Sequence, residues 1–191
     1  MKATMLVAVL DACVLYPPSL RDLFMRLASA LVYQPRWTEE IHAEWMRNVL
    51  EDHPQLTPAQ LERTRRLMDR ISDESLVTDY EAYLPALSLP DPDDRHVLAA
   101  ALQAKAGVIV TFNLSDFPKA TLAPFGVRAL HPDEYLTALF DDAPELFLMA
   151  VREHRAALTR PPKTAAAYVE TLRANRLTKL ALQLAEQQNN I

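Results

Sequence analysis

Four acidic residues stand at positions where their carboxylates could act together. Asp94 opens an alanine-rich helical segment, and Asp116 follows shortly after the apolar run Val108-Ile109-Val110. Asp11 directly follows another apolar run, and Glu44 lies within a predicted helix. Folds of the α/β class place ligand-binding and catalytic groups at the ends of their strands. Because like charges brought together repel and hard cations prefer oxygen ligands, the four carboxylates predict a divalent-metal site.

Each acid taken alone also has an ordinary structural explanation. An Asp after a strand is more often a turn former or a helix cap than a ligand. Asp94 would then be the N-cap of its helix, with Asp91 and Asp93 as turn residues, and Asp116 would cap the turn before Pro118. A functional role for the four acids is favoured over these structural roles because they occur together at the ends of different elements. Among the three neighbouring acids, Asp94 is preferred because the apolar residues after it have the spacing of a buried helix face.

The elements that would position these acids alternate between strands and helices. Two continuous apolar runs, Met5 to Leu10 and Val108 to Thr111, predict strands buried on both faces, as in a parallel sheet. Shorter strands are predicted at Pro35 to Trp37, Leu76 to Thr78 and Val127 to Leu130. Helices are predicted from Ser19 to Val32, from the N-cap Thr38 to Leu50, from Thr57-Pro58, from Asp93 or Asp94 to Lys105, and from Pro132. Gly107 marks the break before the second buried strand.

The last fifty or so residues have a different character. Helical patterns run from Ala143 to Leu158 and from Thr164 to Gln188, so we expect an α/β domain over residues 1–142 and a helical extension over 143–191. Residues 145–191 hold seven Lys/Arg and four Asp/Glu, whereas the first 144 residues hold 13 and 21. A local acidic site flanked by basic helices is what a metal-dependent nuclease requires.

Composition excludes several classes of function. With two glycines in 191 residues, the chain has no glycine-rich phosphate loop and no dinucleotide-binding fingerprint. The one cysteine, Cys13, cannot form an intrachain disulfide, and the N-terminal residues lack the pattern of a secretory signal. No apolar run approaches the roughly 20 residues that a membrane helix needs. We therefore expect a cytoplasmic protein without a membrane partner.

Four segments in this order resemble the PIN-domain ribonucleases, and among them the VapC-type toxins of bacterial toxin-antitoxin pairs. The segments are Asp11 after the first strand, Trp37 to Trp45, Asp91 to Ala101, and Val110 to Phe117. The resemblance covers roughly residues 5 to 140. It implies a three-layer α/β/α fold with a central parallel sheet, and an acidic pocket that binds Mg²⁺ or Mn²⁺.

The resemblance also implies roles for individual residues. The four catalytic and metal-binding acids are Asp11, Glu44, Asp94 and Asp116, of which Asp11 and Asp94 would be direct ligands. Thr111 and Asn113 match polar positions that orient the fourth acid, and Asp91 stands beside the third. Cys13 occupies a position where small polar residues are common, and we interpret it as a buried packing residue. The implied protein is a metal-dependent endoribonuclease, a homodimer that acts as a toxin on RNA and binds a cognate antitoxin.

Three other classes of protein are compatible with parts of the sequence pattern. A catalytically silent binding subunit, held in an antitoxin or repressor complex, would use its apolar helices as a groove for a partner helix. A haloacid-type phosphatase is disfavoured because it needs a second Asp two residues after the first, where this chain has Cys13. A receiver domain is disfavoured because its acidic pair and lysine are not arranged around Asp11.

RNA that approaches an acidic pocket needs basic residues at the border of the pocket. The candidates are Arg63, Arg65, Arg66 and Arg70, or Arg21 with Arg26. Both groups are equally well explained as solvated helix faces.

Overall fold

The computed structural model describes residues 6–191, and its centre is one sheet of four parallel strands. The strands are β1 (Val7–Leu10), β2 (Gln34–Arg36), β3 (Val108–Val110) and β4 (Arg128–Leu130), in the spatial order β2-β1-β3-β4. In the two central strands, Val9 pairs with Ile109, and every pairing in the sheet is parallel. The carboxyl ends of all four strands therefore lie at the same edge.

Helices follow the strands and cover both faces of the sheet. Residues 8–10 of β1 and all of β3 are inaccessible to solvent, which requires packing on both sides and gives the predicted three-layer α/β/α fold. The helices are α1 (Ala12–Leu15), α2 (Pro18–Ser29), α3 (Glu39–Asp52), α4 (Pro58–Asp69), α5 (Arg95–Gln103), α6 (Lys119–Leu122), α7 (Pro132–Asp142), α8 (Pro144–Ala157), α9 (Ala165–Ala174) and α10 (Thr178–Ala185). Turns of 3₁₀ helix occupy Glu81–Ala86, Pro92–Asp94, Ala123–Phe125 and Gln188–Asn190.

Two predicted helix starts are confirmed in atomic detail. The hydroxyl of Thr38 accepts a hydrogen bond from the backbone amide of Ile41 at 3.1 Å, so α3 begins where its N-cap was predicted. Thr57 and Gln60 form a reciprocal capping box at the start of α4, with Pro58 in the first turn. Local side-chain chemistry is therefore sufficient to set both of these boundaries.

The structure differs from the predicted elements in three places. The strand predicted from Leu76 to Thr78 is reduced to a single parallel bridge between Trp37 and Leu76. The first strand begins at Val7, and the predicted first residue, Met5, lies outside the described residues. The single helix predicted from Thr164 to Gln188 is wrong, because the chain turns between α9 and α10, where Arg176 has a φ of 63°.

The C-terminal helices pack on the α/β body. Helix α8 lies along α2, and α10 packs against α9 and α7. The carboxylate of Asp133, in α7, accepts hydrogen bonds from the backbone amides of Lys179 at 2.8 Å and Leu180 at 3.0 Å. Only Ala143 separates α7 from α8, so the predicted boundary at residue 142 falls on a junction between two helices. That the two parts are separate domains stays a prediction.

Between residues 6 and 191, every helix is too short or too polar to cross a lipid bilayer.

Candidate acidic site at the carboxyl edge of the sheet

Asp11 lies at the centre of the sheet edge and is held there by the neighbouring strand. Its backbone amide donates to the carbonyl of Val110 at 3.1 Å, and the residue is only 3% exposed. The Thr111 hydroxyl donates to Oδ2 of Asp11 at 2.6 Å and itself accepts from the amide of Asn113 at 2.9 Å. Thr111 was expected to orient the fourth acid, but its hydroxyl orients the first one, because β1 and β3 are adjacent.

Cys13 belongs to the same hydrogen-bond network. Its Sγ lies 3.1 Å from Oδ2 of Asp11, 3.5 Å from the Thr111 hydroxyl and 3.3 Å from the amide of Phe112. Burial raises the pKa of the Cys13 thiol far above its usual range, and the charge of Asp11 adds to this effect. The thiol therefore stays protonated and donates to Asp11. Cys13 is half-buried and hydrogen-bonded, so the prediction of a buried packing residue missed its polar role.

Asp94 lies at the end of the 3₁₀ turn that leads into α5, and its carboxylate does not cap the helix. Asp91 caps the preceding 3₁₀ turn instead, since its Oδ1 accepts a hydrogen bond from the backbone amide of Asp93 at 2.9 Å. The pKa of Asp94 is raised to about 7, chiefly by burial and then by the charges of Asp11, Asp91, Asp116 and Glu44 in that order. The carboxylate of Asp94 thus faces the other acids rather than a backbone partner.

Glu44 and Asp116 complete the group from two different elements. Burial raises the pKa of Glu44, which projects from the middle of α3, and Asp11 is the next largest cause. Asp116 lies in the turn after β3, where its amide donates to the carbonyl of Asn113 at 3.1 Å. A cavity of about 540 Å³ is lined by side chains that include Glu44, Asp94, Asn113 and Asp116, together with Asp91 and Asp93. Asp11 does not line this cavity, but its charge raises the pKa of both Glu44 and Asp94, so the four selected acids lie close together.

The basic groups that border this cavity are Arg47 and Arg95, and the sequence analysis missed both. Arg47 stands three residues after Glu44 on α3, and Arg95 directly follows Asp94, so their spacing from the chosen acids was the available signal. The backbone carbonyl of Pro92 accepts from Nε of Arg95 at 2.8 Å, which fixes that side chain at the entrance.

Two of the arginines that were predicted as rims make other contacts. Arg65 forms ion pairs with Glu39, Glu62 and Asp69 on the far side of α3. Arg21 is buried, and its guanidinium lies 4.5 Å from the centre of the Trp45 ring. Burial lowers the pKa of Arg21 to about 10. Both arginines therefore stabilise the packing of helices and do not border the acidic cavity.

The donor set fits a hard divalent cation by its chemistry. It consists of carboxylate and amide oxygens, and the raised pKa of Asp94 records a concentration of negative charge that a cation would relieve. Within residues 6–191, no three Asp, Glu, His or Cys side chains are already arranged to hold a metal ion. The carboxylates of Glu44 and Asp94 accept no hydrogen bond from the described residues, so both remain free to turn toward an ion.

Comparison with known proteins gives matches to both parts of the chain. The family described as "PIN domain" matches residues 7–115, and the family described as "VapC50 C-terminal domain" matches residues 132–186. Over 82 residues, the chain is 39% identical to a Mycobacterium tuberculosis protein named "Putative ribonuclease VapC50". That alignment covers 41% of this chain and 47% of the relative, so the chain spans about half of that protein's length. No solved structure matches the chain.

These matches confirm the resemblance that the sequence predicted. The first of them covers more than half of the chain and contains Asp11, Glu44 and Asp94, while Asp116 lies one residue beyond its end. The parallel sheet, with acids gathered at its carboxyl edge, is the architecture that the resemblance implied. On the extent of that match, the chain belongs to the PIN-domain family.

Proposed function

We propose that this protein is a metal-dependent endoribonuclease that acts as the toxin of a toxin-antitoxin pair. The observation that carries the proposal is that Glu44, Asp94 and Asp116 line one polar cavity close to Asp11, where burial first and the neighbouring acids second raise the pKa of Asp94 to about 7. Membership of the PIN-domain family supports a nuclease. The name of the Mycobacterium tuberculosis relative supports RNA as the substrate and the VapC type as the class.

The four acids have different roles in this proposal. Asp11 and Asp94 would hold Mg²⁺ or Mn²⁺ directly, and Glu44 and Asp116 would complete the site. When bound, such a cation activates a water molecule and offsets the charge of the scissile phosphate. Thr111 and Cys13 hold Oδ2 of Asp11 in place through their hydrogen bonds, so that one carboxylate is fixed before any ligand arrives.

Substrate binding depends on the basic residues at the entrance. An acidic cavity repels phosphate unless its charge is offset, so RNA binding close to the acids is coupled to the cation. Arg47 and Arg95 provide positive charge at the entrance, where a phosphate next to the scissile bond would lie. They would orient the RNA backbone without reading its sequence.

A cleavage assay tests this proposal directly. Purified protein is incubated with total bacterial RNA and Mn²⁺ or Mg²⁺, with and without EDTA, beside Asp94→Asn. The matched control is Asp73→Asn, which removes an exposed carboxylate outside the cavity. We expect cleavage that EDTA abolishes, that Asp94→Asn lacks and that Asp73→Asn retains. Equal cleavage by wild type and Asp94→Asn would contradict the proposed site.

A second candidate function is a catalytically silent subunit that only binds an antitoxin. A groove of about 400 Å³ lies between α2 and α4, with Met25, Leu67, Met68 and Ile71 among its lining residues. Leu67 is 57% exposed, which suits the burial of a partner's apolar side chain. If RNA stays intact in every lane while the folded protein binds its coexpressed antitoxin, and Leu67→Lys abolishes that binding, this candidate replaces the nuclease. The predicted homodimer is tested by the molar mass of the purified protein in light scattering.

A further inference from the structure

One basic residue of the C-terminal helices reaches the same edge of the sheet as the acids. The guanidinium carbon of Arg176, in the turn between α9 and α10, lies 4.8 Å from the centre of the Phe112 ring. Phe112 follows Thr111, whose hydroxyl holds Asp11, and precedes Asn113, which lines the acidic cavity. Arg176 therefore lies beside the acidic site, although 60 or more positions of the sequence separate it from each of Asp11, Glu44, Asp94 and Asp116.

The turn that carries Arg176 is fixed from several directions. The side-chain amide of Asn175 donates to the Ser19 hydroxyl at 3.2 Å, which ties the turn to α2. The carboxylate of Asp133 holds the first turn of α10 through the amides of Lys179 and Leu180. Leu177 is completely buried beneath the turn. Arg176 is thus an exposed side chain on a firmly anchored backbone.

Arg176 is also a cation without a partner of opposite charge in the described structure. Within residues 6–191 its guanidinium makes no ion pair and no hydrogen bond, whereas Arg173 pairs with Glu170 at 3.1 Å. Stacking against a ring occupies the face of a guanidinium and leaves its N–H edge free. The N–H groups of that edge can donate two parallel hydrogen bonds to the oxygens of a phosphate.

A histidine ring beside Phe112 also senses the charge of Arg176. The imidazole of His131 packs edge-on against the same ring, with 5.0 Å between the ring centres. Burial lowers the pKa of His131, and the charge of Arg176 is the second cause. Asp133 and Glu134 raise that pKa, and Lys179, which is exposed on α10, lowers it. Arg176 is therefore the strongest charge that acts on His131, the ring that packs on Phe112.

We propose that Arg176 binds a backbone phosphate of the RNA and holds the strand in position across the acidic cavity. This inference rests on the proposed ribonuclease function and assigns part of its substrate-binding surface to the C-terminal helices. A polyanion that enters an acidic cavity needs cations outside the repelling charges, and Arg47, Arg95 and Arg176 provide them from three different elements. Arg176 is a binding residue, because nothing places its guanidinium among the reacting groups.

The test compares three variants under the conditions in which the wild type cleaves RNA. Arg176→Asn removes the cation but keeps a residue that tolerates a left-handed backbone, and Arg176→Lys restores the charge. Arg173→Asn is the matched control, since it removes an exposed arginine of α9 that already has an acidic partner. For Arg176→Asn we expect a KM about tenfold higher, with kcat changed less than about twofold and an unchanged melting temperature. Arg176→Lys should recover most of the loss, and Arg173→Asn should behave as the wild type.

Direct binding provides the second measurement and separates this inference from the nuclease proposal. Fluorescence anisotropy with a labelled random-sequence single-stranded RNA, in Mg²⁺ and on an Asp94→Asn background that leaves the RNA intact, should give a plot of log Kd against log salt whose slope falls by about 0.7 when Arg176→Asn is added. An unchanged KM and an unchanged salt slope in that variant overturn the inference. A loss of kcat with a lower melting temperature and no rescue by Lys also overturns it, because Arg176 would then only support the fold. If the wild type binds RNA but never cleaves it, only the nuclease proposal fails.

Discussion

The hydroxyl of Thr111 donates a hydrogen bond of 2.6 Å to Oδ2 of Asp11, and this contact joins the ends of the two central strands. The two residues are 100 positions apart in the sequence, and they meet because β1 and β3 pair in parallel with Leu10 opposite Val110. Cys13 donates to the same oxygen. One oxygen of Asp11 is thus fixed by two donors, and the other oxygen is left for a ligand.

Removal of the Thr111 hydroxyl should disturb both the fold and the site. Thr111→Val keeps the shape of the side chain but leaves Oδ2 of the buried Asp11 with one donor fewer, so we expect a loss of about 1–2 kcal/mol in the free energy of unfolding. Cleavage should fall about tenfold or more, because the first carboxylate is no longer held. Urea unfolding and the RNA cleavage rate measure the two effects.

The control for this prediction is Thr111→Ser, which retains the hydroxyl. It should keep most of the activity, at the cost of a buried methyl group worth about 1 kcal/mol. If Thr111→Val cleaves RNA as fast as Thr111→Ser, the hydrogen bond has no role in positioning Asp11.

Asp94 should make the metal-free protein less stable as the pH rises. Its pKa is raised from 3.8 to about 7 in the folded state, chiefly by burial, so folding favours the protonated acid. Below about pH 4 the group is protonated in both the folded and the unfolded state and contributes nothing. Between about pH 4 and 7 the unfolded state ionises first, and stability falls. After allowance for partial exposure, we expect a loss of about 1–2 kcal/mol at pH 8.

Asp94→Asn should remove this loss, because the amide carries no charge at any of these pH values. Urea unfolding at pH 4 and pH 8 in EDTA measures the effect, and the variant should be more stable than the wild type at pH 8 but not at pH 4. Added Mg²⁺ or Mn²⁺ should restore stability to the wild type alone. An identical pH dependence in both proteins would mean that folding does not raise the pKa of Asp94.

His42 should have the opposite pH dependence. Its Nδ1 accepts a hydrogen bond from the Trp45 indole at 2.9 Å, so the proton of the neutral ring lies on Nε2, which donates to Asp69 at 3.0 Å. Burial lowers the pKa of His42 despite the favourable effect of Asp69. Since folding favours the neutral ring, His42 should reduce the stability as the pH falls below about 6.5, where the unfolded imidazole gains a proton.

Proton NMR of the histidine rings tests this directly. The His42 resonance should titrate with a midpoint below about 6.5, and His42→Asn identifies it by its absence. A midpoint above that value would show that the ion pair with Asp69 outweighs burial.

Site residues were predicted correctly where neighbouring residues in the sequence determine their position. A strand end and a helix start are set by neighbouring residues, so Asp11 and Asp94 were located from apolar runs and turn residues. The hydrogen bond from Thr111 to Asp11 depends on which strands pair, and that information is spread over 100 residues. For the same reason the sequence could not single out Arg176 among the basic residues of the C-terminal helices, because its contact with Phe112 exists only after α10 has packed on α7.

The difference between local and long-range determinants also explains why one helix was predicted where the structure has α9 and α10. Gly107 lies in the break between α5 and β3 as predicted, but the left-handed residue of that break is Lys105, with a φ of 52°. The chain has no glycine or proline between α9 and α10, so nothing local predicts that turn. The start of α10 is instead capped by Asp133 of α7, a residue more than 40 positions earlier. A cap supplied by another element leaves no trace in the neighbouring sequence.

Asp133 should therefore control both the stability of α10 and the position of Arg176. Asp133→Ala removes a buried carboxylate that accepts from two backbone amides and leaves both donors without a partner. We expect a loss of about 2–3 kcal/mol in the free energy of unfolding. Hydrogen exchange should accelerate in residues 178–185, and the KM for RNA should rise as in Arg176→Asn.

The matched control is Asp141→Asn, which alters an exposed contact between α7 and α10, the hydrogen bond of 2.9 Å from the Gln183 side chain. This change should cost less than about 0.5 kcal/mol and leave RNA cleavage unchanged, because the contact is exposed and the Asn side-chain oxygen can still accept from Gln183. If Asp133→Ala loosens α10 while the KM for RNA stays constant, the C-terminal helices stabilise the protein without contributing to substrate binding. If KM rises with the exchange rate, the cap of α10 is part of what positions the RNA.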